Sequence, residues 1–76
     1  MKLAFDFGIT NTDVVSYKDG KMKFFSMPSE TINKKFLDKL LLNAEIELKD
    51  IDVIAVTGGK SSDLEDTFKN IPIVKV

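Results

Sequence analysis

Lys2-Leu3-Ala4-Phe5-Asp6-Phe7-Gly8-Ile9-Thr10-Asn11-Thr12 starts as a strict alternation and then gives way to small and polar residues. Leu3, Phe5 and Phe7 fall on one face and Ala4 and Asp6 on the other, the period-two pattern of a β-strand. The strand therefore carries an acid, Asp6, at its carboxyl end, and Gly8 to Thr12 form a turn. Working outward, Val14-Val15-Ser16-Tyr17 and Met22-Lys23-Phe24-Phe25-Ser26-Met27 read as two further strands around Asp19-Gly20. A type I′ turn needs positive φ at both central positions, which Asp-Gly supplies, so these two strands are expected to be antiparallel.

Pro28 and Ser29 close that hairpin. From about Glu30 the apolar positions Ile32, Phe36, Leu37, Leu40, Leu41 and Ala44 are spaced three and four apart, which predicts an amphipathic helix ending near residues 43–45. Glu30 at its start and the lysines after it fit the helix dipole. Asp52-Val53-Ile54-Ala55-Val56-Thr57 is a continuous apolar run between polar residues, the pattern of a parallel strand covered on both faces. Gly58-Gly59 ends it. A second, short helix is predicted from Ser62, with Ser62 and Glu65 as a capping box and Leu64 and Phe68 on one face. Asp63, Glu65 and Asp66 would then form a solvated, dipole-favoured first turn. Ile71 to Val76 reads as a last strand, which Pro72 confines to a strand start or an edge.

The expected architecture is α/β, in the order β-β-β-α-β-α-β over residues 1–76 as one domain without linker or repeat. Parallel first, fourth and fifth strands with right-handed crossovers give a mixed five-stranded sheet of order 3-2-1-4-5, with both helices on the same face. The opposite face is then bare, yet the run from Val53 to Val56 calls for burial on both sides. A missing layer from another segment or a second copy of the chain is the expected resolution.

Composition narrows the chemistry. At 43% apolar and 30% charged residues the chain is that of an ordinary globular protein, and 76 residues bury only roughly 60% of the unfolded surface, so stability is marginal. There is no cysteine and no histidine, which removes thiol nucleophiles, disulfides, zinc knuckles, Ser-His-Asp triads and histidine-ligated metals. All eleven basic residues are lysine and the formal charge is −1, so nucleic-acid binding is not expected. No stretch approaches a membrane span, and Asp6 comes too early for a signal peptide, so a cytoplasmic protein is expected.

What remains is carboxylate, hydroxyl, amide and lysine. In Asp6-Phe7-Gly8-Ile9-Thr10-Asn11-Thr12, Gly8 allows close backbone approach, turn amides can donate to phosphate oxygens, and Thr10, Asn11 and Thr12 add side-chain donors. Asp6 could then orient Mg²⁺, which needs only one or two carboxylates beside phosphate oxygens. The plainer alternative is a hairpin turn whose polar side chains bond their own backbone. Gly58-Gly59-Lys60-Ser61-Ser62 is open in the same way, as an anion-holding turn or a structural one; it lacks Walker A spacing.

Asp6-x-Gly8-x-Thr10-x-Thr12 at the mouth of a hairpin, with a later strand ending Thr57-Gly58-Gly59, resembles the amino-terminal lobe of the actin, heat-shock chaperone and sugar-kinase superfamily. Within it the pattern, continuing to Asn70-Ile71-Pro72, is most similar to type II (bacterial-type) pantothenate kinase. The resemblance implies a ribonuclease-H-like fold and ATP-dependent phosphorylation of pantothenate, in coenzyme A biosynthesis. It places Asp6 near Mg²⁺ and Gly8, Thr10 and Thr12 around the ATP phosphates. Ile9 replaces the second glycine of the family's turn, and Asp13 stands where the kinases usually carry lysine. The family's catalytic glutamate follows the fifth strand, beyond Val76, so no catalytic residue is assigned and little kinase activity is expected of this chain alone. Two other readings stand beside it. One is a non-enzymatic domain of the same fold that dimerises or binds a partner through its bare sheet face; the other, suggested by Asp13, is a lobe of a hydantoinase/oxoprolinase-type ATPase.

Overall fold

The computed structural model describes residues 1–76. Strands β1 (Lys2–Phe7), β2 (Asn11–Lys18) and β3 (Lys21–Pro28) form a meander, followed by helix α1 (Lys34–Asn43), β4 (Val53–Thr57), the two-residue β5 (Thr67–Phe68) and β6 (Ile71–Lys75). They make one six-stranded sheet of order β3-β2-β1-β4-β6-β5. β1 pairs antiparallel with β2 and parallel with β4, and β4 pairs parallel with β6. Asp19 and Gly20 both have positive φ, 54° and 77°, as the turn between β2 and β3 requires.

Three expectations are corrected. The sheet has six strands rather than five, and the order differs by the added edge strand β5. There is one helix rather than two: Ser61–Asp63 makes a single 3-10 turn, Leu64 is extended at φ −69° and ψ 150°, and the Ser62–Glu65 capping box does not form. The chain runs instead into a tight hairpin whose turn residues, Lys69 and Asn70, have φ of 49° and 70°. Asn tolerates this left-handed conformation, and Leu64 and Phe68, assigned to a helix face by their spacing, reach the core from extended backbone. Finally, α1 starts at Lys34 rather than near Glu30. Asn33 caps it, its side-chain oxygen accepting from the Phe36 amide at 3.0 Å, and neither an acid in its first turn nor a base in its last complements the dipole. Glu30 lies before the helix and pairs with Lys39.

Alternation on β1 places Leu3, Phe5 and Phe7 inward, where they join Val14, Ile54 and Val56. Helix α1 closes this layer with Phe36, Leu37, Leu40 and Leu41, and the rings of Phe7 and Phe36 meet at 6.2 Å. β4 is covered on one side only: Ile54 and Val56 are buried while Val53 and Ala55 are half-buried. As the expected placement of the crossovers on one face implies, no helix or strand crosses the other face. Pro72 sits at the start of β6, before its pairing with β4 begins at Ile73, so its missing amide breaks no ladder bond to β4. No helix is long and apolar enough to cross a membrane.

Candidate functional site

The carboxyl end of β1 gathers both glycine turns. The hairpin between β1 and β2 is closed by the Gly8 amide donating to the Asn11 carbonyl at 3.0 Å, leaving Ile9 and Thr10 at its tip. Gly8 is required by proximity, since a Cβ there would lie 2.5 Å from the Asn11 carbonyl oxygen. Ile9 is fully exposed and is not among the positive-φ residues, so its β-branch sits in a turn that avoids the conformation a glycine would have allowed.

Thr10 and Asn11 are exposed, whereas Thr12 is fully buried. The Thr12 hydroxyl shares a 2.9 Å hydrogen bond with the Ser29 hydroxyl, and Ser29 Oγ donates to the Gly8 carbonyl at 2.6 Å. The Ser29 amide also donates to the Thr10 carbonyl at 2.9 Å. Thr12 therefore braces the turn from within. Ser29 is a site residue that the sequence pattern alone does not mark; the available signal is a serine directly after Pro28, at the far end of the strand paired with Asn11.

Gly58 (φ 79°) and Gly59 (φ 47°) turn the chain against the same strand end. A Cβ on Gly58 would come within 2.6 Å of the Phe7 carbonyl oxygen and 2.8 Å of Asp6 Oδ1. A Cβ on Gly59 would be 3.1 Å from the Phe7 carbonyl oxygen. The two turns share a small cleft of about 310 Å³ whose lining includes Gly8, Ile9, Ser29 and Gly59. The backbone amides of Ile9, Thr10, Gly58, Gly59 and Lys60 donate to no group within the chain. A cluster of free donors around small residues can accept an anion such as a phosphate.

Asp6 faces the opposite side of the sheet and lines a second hollow of about 440 Å³, with Asp13, Ser26 and Thr57 at one end and Val15 and Phe24 along its floor. Asp6 and Asp13 stand directly opposite each other in the β1–β2 ladder, and neither makes an ion pair. Like charges so placed repel, and a bound cation would relieve that repulsion. Counting back from a two-residue turn at Ile9-Thr10 would have shown this pairing in the sequence. The structure thus brings Asp6, Gly8, Gly58 and Gly59 to one strand end but sets Asp6 on the outer face, with Gly58 as the point of contact. At the other end of β1, the amino terminus donates to Asp52 Oδ2 at 2.8 Å and holds its carboxyl below the ordinary value of 3.8.

No protein-family model matches the chain, and no curated protein does. Among solved structures it is similar to YeaZ from Pseudomonas aeruginosa, at 16% identity and a TM-score of 0.50 over 99% of this chain. The chain spans 42% of that protein's length. The similarity is one of fold alone: the mixed α/β lobe is compatible with the ribonuclease-H-like, actin-like kind.

Proposed function

We propose that this chain is the phosphate- and Mg²⁺-positioning lobe of an ATP-dependent phosphotransferase. The observation that supports it most is the meeting of Asp6, on the outer face, with the Gly8 turn and the Gly58-Gly59 turn at one strand end, where five turn amides have no acceptor within the chain. The residues suit the groups: Gly58 and Gly59 let the backbone pack directly on Phe7 and Asp6, and the facing carboxylates of Asp6 and Asp13 form a hard-oxygen pair of the kind magnesium prefers. Bound Mg²⁺ would supply charge neutralisation on the phosphate oxygens. The chain's own work is to hold the phosphates on backbone amides, to keep the turn rigid through Ser29 and Thr12, and to place Asp6 where a cation is needed. Pantothenate as the acceptor rests on the sequence resemblance alone. Asp13 also keeps a hydantoinase/oxoprolinase-type ATPase lobe as a reading of the same site.

Isothermal titration with a non-hydrolysable ATP analogue and Mg²⁺ tests the proposal. Saturable binding that requires Mg²⁺ and is weakened at least about tenfold by Asp6→Asn is expected, the loss of one charge-assisted contact being worth about 1.5–3 kcal/mol. Heat-silent titration with no protection of the fold against melting would contradict it.

A further inference from the structure

The outer face of the sheet is ordered in rows across the strands. Phe24, Val15, Ala4, Ala55 and Val74 occupy one register line, with Phe24 76% and Val74 50% exposed. On the amino side of that line, relative to β1, lie Lys2 and the exposed Tyr17 and Met22; on the carboxyl side lie Asp6 and Asp13. The chain forms six ion pairs, and none of them uses Lys2, Asp6 or Asp13. An apolar stripe is thus flanked by an unpaired cation on one side and two unpaired acids on the other.

This arrangement is complementary to itself under one rotation. Turning a second copy by 180° about an axis along the apolar line lays β1 antiparallel over β1, the stripe upon itself, and Lys2 of each copy over Asp6 of the other. A two-fold axis along the strands would instead set Asp6 and Asp13 against their own equivalents and is opposed by like charge. We propose that a second copy of this chain covers the bare face, sheet on sheet, in the first of these arrangements. Stacked sheets lie about 10 Å apart, close enough for a lysine stem to bring its ammonium to an aspartate across the gap. The molecule's extents of 30 × 23 × 21 Å hold the contact below the roughly 800 Å² per partner of a stable complex, so the dimer is weak and reversible. The inference stands on the face and its charges; because Asp6 and Asp13 lie on that face, Mg²⁺ bound there would compete with the Lys2 contact.

Sedimentation equilibrium of the 76-residue chain in metal-free buffer tests it. The mass should rise with concentration from one chain to two. Phe24→Asp, at an exposed position that leaves the circular dichroism unchanged, should hold it at one. Lys2→Glu and Asp6→Lys should each weaken self-association, and mixing the two variants should restore a dimer, because every cross-copy pair is then of opposite charge. A chain that stays monomeric to about 1 mM, where association is worth less than about 4 kcal/mol, would overturn the proposal and leave this face to another segment or protein. A dimer that survives Phe24→Asp, or that ignores the charge exchanges, would overturn it too.

Discussion

Gly58 lies against Asp6 so closely that a single added methyl would stand 2.8 Å from Asp6 Oδ1 and 2.6 Å from the Phe7 carbonyl oxygen. The contact joins the end of β4 to the end of β1 and sets the position of the acid. Gly58→Ala places a Cβ against backbone at a φ of 79°, so it should destabilise the fold by at least about 2 kcal/mol, read as a lowered urea midpoint.

Ser29 and Thr12 form the brace of the hairpin turn. Ser29→Ala leaves the fully buried Thr12 hydroxyl without its partner and should cost about 1–3 kcal/mol. Thr12→Val in the Ser29→Ala background should recover part of that loss, because both polar groups are then gone. A double-mutant cycle by chemical denaturation measures the coupling.

Helix α1 ends in a Schellman motif built on the wrong residue. The amides of Ile46 and Glu45 donate to the carbonyls of Leu41 and Leu42, and Glu45 takes a φ of 58° that glycine adopts more easily. Glu45→Gly should therefore stabilise the protein by about 0.5–1 kcal/mol, seen as a higher melting temperature.

Most of this architecture could be read from the residues, and the failures have definite causes. Alternation on β1, the Asp19-Gly20 turn and the three-and-four spacing of Phe36 to Leu41 each name one structure because local and core demands agree. Leu64 and Phe68 are four apart and would suit a helix face, but Lys69-Asn70 can close a type I′ turn, and pairing with Ile71 and Pro72 won. At the site, the glycines and Asp6 were visible as residue types. The partner of the Thr12 hydroxyl was not, since it depends on Ser29 arriving from the end of β3.

The ion pair between the amino terminus and Asp52 gives the chain an acid-sensitive contact. Because the Asp52 carboxyl titrates below its ordinary 3.8, the unfolded chain binds more protons in the interval between the two values. Its contribution is therefore present above about pH 4 and is lost as pH falls through the lowered value. Asp52→Asn should flatten the acid limb of the stability curve, read from chemical denaturation across the acid range.

Phosphate binding by this lobe requires the two glycine turns to act together. The amide NMR spectrum, followed while Mg²⁺ and a non-hydrolysable ATP analogue are titrated in, reports on Ile9, Thr10, Gly58, Gly59 and Lys60 at once. Saturable shifts at both turns with one common dissociation constant are predicted. A well-dispersed spectrum in which neither turn moves at millimolar nucleotide would contradict the account, and would mean that these turns serve only to fold the chain.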